Sequence, residues 1–260
     1  MKSRVLVPER MDDPGLDPQE HARALAGLRR INHFSGTPWQ ITREILEIAS
    51  RHPRNQYRIL DLGCANGELV YKLIPLLIDR IPFHITGWDR SEYAIEQARK
   101  GIPQWAEQNP QFSSGAPVSF EVQDVFAFAA EDRALAEELR SDSQAANENA
   151  PFDIVFCTLF LHHFEDTDAV RVLDAMRRLA RIAVLVDDLR RTHFGWWLAT
   201  LGCHLLSRSQ VVHFDGPQSV RAAFNLDEAR RMAALAGMHN VSLRTHWPQR
   251  FAMRWERPQS

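Results

Sequence analysis

The sequence predicts an α/β fold assembled from parallel strand–helix units, and three stretches carry that prediction. Residues 58–73, RILDLGCANGELVYKL, read as a buried strand (Ile59, Leu60, Leu62), a short turn holding Gly63 and Gly67, and a helix from about Glu68. Residues 84–99, HITGWDRSEYAIEQAR, repeat the order, with Asp89 just past the strand. Residues 152–157, FDIVFC, are apolar almost throughout, as a central parallel strand covered on both faces must be.

The other elements follow in chain order. Residues 1–16 are punctuated by prolines and read as an extended arm. Asp17-Pro18-Gln19-Glu20 combines an N-cap acid, a first-turn proline and a capping-box glutamate, so it starts a helix to about Asn32. Its expected apolar side is Ala22, Leu25, Ala26 and Leu28. Thr37-Pro38-Trp39-Gln40 starts a second helix with Ile41, Ile45 and Ile48 inward, ended by His52-Pro53. Beyond the two strand–helix units, residues 117–123 alternate as a third strand and are followed by Asp124. Residues 131–140 read as a polar helix and 141–150 as a polar loop. After the fourth strand come a helix at 168–180, a fifth strand at 182–186 ending in Asp187 and Asp188, and a helix at 225–237 with an Asn-x-x-Glu cap and a glycine stop. Residues 241–247 and 251–255 form a terminal hairpin through Pro248.

The first two units define a ligand crevice. A glycine turn between strand and helix lets the backbone approach a ligand, and the free N–H groups of the helix start face it. An ordinary tight connection would look the same from the turn alone. Asp89 strengthens the case, because an acid after the second strand is placed to accept from ribose hydroxyls. The choice then lies between a dinucleotide and S-adenosylmethionine. Asp61 ahead of the first glycine would repel a pyrophosphate and suits a ligand with an ammonium and a sulfonium, which favours S-adenosylmethionine.

D-L-G-C-x-N-G, with an acid after the second strand, resembles the class I (Rossmann-like) S-adenosylmethionine-dependent methyltransferases. Residues 120–128 and 152–166 resemble that family's third and fourth segments, and the likeness covers most of 57–188. The chain departs from the family at Ala65, where a glycine is usual; alanine is the smallest replacement. The resemblance implies a doubly wound, seven-stranded, mostly parallel sheet with an antiparallel last strand. It also implies cofactor-binding positions. These are Asp61, Gly63, Cys64, Ala65 and Gly67 at the first turn, Asp89 and Arg90 after the second strand, Asp124 and Val125 after the third, and Thr158 after the fourth. Asp124 would accept from the adenine amino group; a plain N-cap aspartate is the alternative. Residues 1–56 then form an N-terminal arm and helical cap like that of many small-molecule methyltransferases, with 31–38 across the site. Simple cover for the sheet is an equal reading of these helices. Residues 57–260 form the catalytic domain, with a helical lid insertion at 190–220.

Composition narrows the function. A net charge of −2 and no appended basic region give no support for a nucleic-acid partner. Cys64, Cys157 and Cys203 make no complete disulfide set and have no metal-ligand spacing, which fits a reduced, cytoplasmic protein. Residues 1–13 contain no apolar signal core, and no apolar run is long enough to cross a bilayer.

The lid is the most individual stretch. Residues 194–206, FGWWLATLGCHLL, are apolar nearly all round, so a helix there must be buried or must line an apolar cavity. Above the carboxyl edge of the sheet it would form an acceptor pocket for a small lipophilic or aromatic substrate. A homodimer interface or a shallow membrane contact are its other uses. Methyl transfer from a sulfonium is an in-line displacement that gains most from alignment and exclusion of water. O-methylation also needs a modest base, and C-methylation is a second outcome. His162 is the leading base candidate, followed by His163 and His193, since adjacent histidines are not expected to face one site together. A His-His metal centre is not expected, because no third ligand has suitable spacing. Methylation of RNA or protein is an alternative; against it stand the near-neutral charge and Thr158–Leu159–Phe160 where an Asn/Asp-Pro-Pro-Tyr segment would sit. A non-catalytic S-adenosylmethionine-binding subunit and, more distantly, a nicotinamide oxidoreductase complete the set.

Overall fold

The apolar strands and amphipathic helices read from the sequence assemble into a three-layer α/β structure. It was obtained as a computed structural model that describes residues 1, 3–13, 15–33, 35–109, 117–126 and 150–258. The helix expected at 131–140 and nearly all of the loop at 141–150 lie outside the described residues.

Helices α1 (Pro18–His33) and α2 (Thr37–Arg51) precede β1 (Tyr57–Leu62). Then follow α3 (Glu68–Leu77), β2 (Phe83–Asp89), α4 (Glu92–Gln108), β3 (Val118–Val122) and β4 (Phe152–Thr158). The C-terminal half comprises α5 (Asp166–Leu179), β5 (Ala180–Leu189), α6 (His193–Leu206), α7 (Gln210–Ala222), α8 (Leu226–Leu235), β6 (Ser242–His246) and β7 (Arg250–Glu256). The seven strands lie in the order β3-β2-β1-β4-β5-β7-β6. The β3-β2-β1-β4-β5 pairs are all parallel, and β7 runs antiparallel between β5 and β6. Strand order reverses between β1 and β4, so the carboxyl ends of these two neighbours open a crevice at the switch point.

Each sheet face has its own core. On one, Val172 and Met176 of α5 and Ala229 and Met232 of α8 pack on the sheet with Trp255. On the other, Ile41, Ile45 and Ile48 of α2 join Leu73 and Ile74 of α3 and Ile95 of α4. Helix α2 is thus part of the sheet's own core, as its three isoleucines predicted.

Three expectations change. The buried side of α1 is rotated: Ala22 and Ala26 are exposed, while Ala24 and Gly27 are buried. The reason is the partner. A side chain at position 27 would collide with Ser207, so α1 packs against the α6–α7 junction through its smallest residues. Ala24 accordingly clusters with Cys203, Val211 and Val212. Strand β5 also runs further than expected, to Leu189. Antiparallel pairing with β7 (Asp187↔Ala252, Asp188↔Phe251, Leu189↔Arg250) supports the extra residues and puts both aspartates inside the strand. The insertion at 190–220 holds α6 and most of α7. Finally, α6 is not wholly enclosed. Gly195 and Cys203 are buried, whereas Phe194, Trp197, Leu201 and Leu205 are exposed.

Candidate active site

The turn after β1 is built by backbone hydrogen bonds to β2. The amides of Gly63 and Cys64 donate to the Trp88 carbonyl at 2.8 and 3.0 Å, and Gly67 donates to Cys64 at 2.9 Å. Asp89 completes the turn: its two carboxylate oxygens accept from the amides of Ala65 and Ser91, each at 2.9 Å. Gly63 and Gly67 both take left-handed backbone, with φ of 75° and 74°. A side chain at Gly63 would meet the Phe160 ring at 2.5 Å, and one at Gly67 would meet Phe120 at 2.6 Å. Ala65 takes φ 47°, so the residue that departs from the family pattern sits in the strained left-handed region.

Asp61 is fully buried beneath this turn. Burial, reinforced by the charge of Asp89, pushes its carboxyl up to about 8. Burial beside Asp61 and Asp89 also pushes the Cys64 thiol up, which makes it an unreactive thiol.

The chain leaves β4 through another left-handed residue, Leu159 at φ 49°, whose amide donates to the Asp187 carbonyl at 2.9 Å. A 3-10 turn, Leu161–His163, follows. It brings the buried His162 against Asp188 of β5, with Nδ1 2.6 Å from one carboxylate oxygen and the backbone amide donating to the other at 3.2 Å. A carboxylate only accepts, so Nδ1 carries the proton and Nε2 is the free nitrogen of the neutral ring. Nε2 lies 3.9 Å from Glu9. Burial opposes the imidazolium, but the charge and hydrogen bond of Asp188, aided by Glu9, outweigh it and raise the His162 pKa above its ordinary value. For Asp188 burial likewise opposes the charge, and His162 holds the carboxyl below its ordinary value.

Glu9 arrives on the N-terminal arm, which is tied across the site. Arg4 lies over the Phe224 ring at 3.6 Å, pairs with Asp166 at 2.6 Å and donates to the Phe164 carbonyl at 2.8 Å. The amides of Arg10 and Met11 donate to Asp215 of α7 at 2.9 and 3.0 Å. Beneath the site, Asp187 pairs with Arg250 at 2.5 Å and His246 at 2.8 Å, both from the terminal hairpin.

Two cavities meet at His162. One of about 690 Å³ lies over the sheet edge and is lined by Gly63, Asp89, Arg90, Asp124, Val125 and Phe160 among others. Glu9, Asp89, Asp124 and Glu165 make it acidic against one arginine, Arg90. The other, of about 430 Å³, lies beneath α6, the helix expected to form the lid, and is walled by Met11, Leu28, Ile31, Leu198, Ala199 and Cys203 among others. Glu9, His162, His163 and Ser219 line both.

Of the sequence-predicted residues, Gly63, Asp89, Arg90, Asp124, Val125, His162 and His163 therefore share the larger cavity. Cys64 and Thr158 line a separate one of about 180 Å³ on the other side of the turn. Asp61, Ala65 and Gly67 line none of the three. His193 does not reach them either: it is exposed at the start of α6 and hydrogen-bonds the Met1 ammonium at 2.9 Å. Contrary to expectation, both adjacent histidines face the site. The tight 3-10 turn brings their rings together, with centroids 4.3 Å apart and planes tilted by 30°. The third potential ligand that sequence spacing did not offer comes from the arm: ligating atoms of Glu9, His162 and His163 lie within 4.8 Å of one another. Residues 31–38 do border the site, through Ile31 and Ser35 on the lid cavity and Ser35, Thr37 and Pro38 on the smallest one. Glu9, Asp188 and Arg250 were missed. Only the acidic pair closing β5 carried a legible signal, at the same edge as the β4 terminus.

A Rossmann-like sheet with an acid-rich crevice at its switch point defines an enzyme of the cofactor-dependent α/β class. Residues 53–190, just over half of the chain, match a family model described as a methyltransferase domain. The chain belongs to that family and is an S-adenosylmethionine-dependent methyltransferase. No curated protein matches the sequence. Among solved structures, the plantazolicin methyltransferase BpumL with a triazolic desmethylPZN analog and SAH is similar, with a TM-score of 0.62 at 13% identity, covering 92% of this chain and 91% of that one. The plantazolicin methyltransferase BamL gives 0.59 at 16% identity, covering 91% and 90%. An O-methyltransferase described as putative from Nostoc punctiforme gives 0.55 at 14%, covering 98% and 64%. At these identities the likeness is one of fold.

Two stability measurements check this geometry. Gly63→Ala and Gly36→Ala impose similar left-handed strain, but only the first meets a ring, since nothing lies within 4 Å of a side chain at Gly36. Gly63→Ala should therefore cost about 1–3 kcal/mol more in urea unfolding; equal losses would remove the Phe160 contact. Asp61 has a folded pKa above its unfolded one, so its contribution is whole below about pH 4 and is lost as pH rises through about 8. Cofactor-free wild type should lose more melting temperature between pH 6 and 9 than Asp61→Asn, and parallel curves would refute the assignment.

Proposed function

We propose that this methyltransferase acts on a small lipophilic acceptor, transferring the methyl group to an acidic hydroxyl with His162 as proton acceptor. The observation that carries the reading is the Asp188–His162 pair, 2.6 Å apart and placed where the two cavities meet. In this reading the 690 Å³ cavity holds the cofactor and the 430 Å³ cavity the acceptor. The residues fit S-adenosylmethionine by charge. Asp89 and Asp124 offer carboxylates to hydroxyl and amino groups, the glycine turn offers close backbone approach, and the buried Asp61 becomes a counterion when a cation binds nearby. Bound S-adenosylmethionine supplies an electrophilic methyl on a sulfonium.

The chain's own residues do the rest. Leu28, Ile31, Leu198 and Ala199 present apolar surface to the acceptor, and the arm and lid exclude water. Asp188 is a positioning residue: it holds the proton on Nδ1, which aims the lone pair of Nε2 at the junction. His162 takes the hydroxyl proton there as the oxygen attacks; a phenol, with an ordinary pKa near 10, needs only such a modest base. Glu9 stabilises the imidazolium that results. The walls of the lid cavity are too narrow and apolar a setting for a nucleic-acid or protein substrate, which supports the small-molecule reading over the alternative.

Two experiments test this. With labelled methyl donor and an extract of the host cells, label should partition into the organic-soluble fraction; label in acid-precipitable material would replace the reading with RNA or protein methylation. His162 must be neutral to act, and its pKa is raised, so kcat/KM should climb with pH through an inflection above about 6.5. Glu9→Gln should move that inflection down. Asp188→Asn should lower kcat by about 10²-fold or more while leaving S-adenosylhomocysteine affinity by calorimetry near wild type. Full turnover in His162→Ala, with an unchanged pH profile, would leave alignment as the whole mechanism.

A further inference from the structure

Helix α6 has two apolar faces, and the molecule uses one of them. At 100° per residue, Leu198, Ala199, Gly202, Cys203 and Leu206 point to the lid cavity. Phe194, Trp197, Leu201 and Leu205 form a second stripe that faces outward, 52%, 54%, 41% and 73% exposed, with Trp196 beside it. Phe194 and Trp197 stack at 6.1 Å, so the stripe is an ordered surface. The turn before β7 adjoins the start of α6. Trp247 is 62% exposed, and Gln249 of that turn accepts from Thr192 and Arg190 at the start of α6. A contiguous apolar patch of this kind marks a docking site.

Its border identifies the partner. Residues 189–214 contain no aspartate or glutamate, in a chain that has 33 of them. At the C-terminal end of α6, the exposed Arg30 donates to the Leu206 carbonyl at 2.6 Å, and the exposed Arg208 follows directly. An aromatic stripe flanked by cations, on a protein whose net charge is −2, complements a surface that is apolar inside and anionic outside.

We propose that this face of α6 docks on an anionic lipid bilayer, with the helix lying in the interfacial plane and its tryptophans at the headgroup boundary. Tryptophan is the side chain best suited to that boundary, and cations beside it add electrostatic attraction. The helix spans about 21 Å at 1.5 Å per residue, so it lies in the surface. No described helix is long and apolar enough to cross a membrane. The same helix would then touch lipid with one face and the acceptor cavity with the other, giving a lipid-dissolved acceptor a short path. That path rests on the acceptor reading above; the docking does not.

The test uses the full chain and vesicles of phosphatidylcholine, alone or with about one third phosphatidylglycerol. Co-sedimentation should be strong with the anionic vesicles and weak with the neutral ones. It should fall with added salt, and tryptophan emission should shift to the blue on binding. The double variant Leu201→Ser/Leu205→Ser changes only exposed positions and should keep the wild-type melting temperature while losing at least tenfold in vesicle affinity. Absence of binding, or equal binding by the variant, overturns the proposal. So does a dimer in light scattering that the same variant dissociates. Sedimentation reads no turnover, so it can fail while methyl transfer stands.

Discussion

Parallel pairing of β1, β4 and β5 gathers buried carboxylates at one sheet edge, and each must be compensated. Asp61 on β1 has no cationic partner among the described residues and keeps its proton up to about pH 8. Asp187 on β5 pairs with Arg250 and has the His246 ring 2.8 Å away. Its neighbour Asp188 points to the other side of the strand and holds His162. A carboxylate buried without such help costs several kcal/mol, so these three solutions fix much of the surrounding structure. The hairpin must deliver Arg250, and β4 must break at Leu159 so that His162 can reach Asp188. What is left over is chemistry: one neutral acid beside a crevice fit for a cation, and one imidazole with a single free nitrogen.

The arm and lid turn this edge into enclosed space. Met11, Leu16, Leu28 and Ile31 pack around Ala24, Cys203, Val211 and Val212, a small core separate from the two that hold the sheet. The ties of Arg4 and Asp215 hold Glu9 over His162. The candidate site is therefore shared between the sheet edge, which holds Asp188 and His162, and the arm, α1, α6 and α7, which wall the smaller cavity beside it.

Much of this was legible in the sequence. Apolar runs and helix caps located the strands and helices because local chemistry dictates them. The Asn225–Glu228 capping box formed as its spacing required, and Gly237 stopped the helix at φ 77°. The glycine turn, Asp89, Asp124 and His162 could be found because strand ends in a parallel sheet have a fixed relation to the ligand crevice.

Other features depend on contacts between residues far apart in the chain, which no local pattern encodes. Glu9 meets His162 across 153 positions only because the arm is anchored at Phe224 and Asp215. The length of β5, and so the burial of Asp187 and Asp188, was set by pairing with β7. Which side of α1 is buried was set by the room left beside Ser207. In α6 the sequence determined that the helix would be apolar all round. Only the tertiary structure decided that one face would wall a cavity and the other meet solvent, because α1 and α7 together cover less than its full circumference.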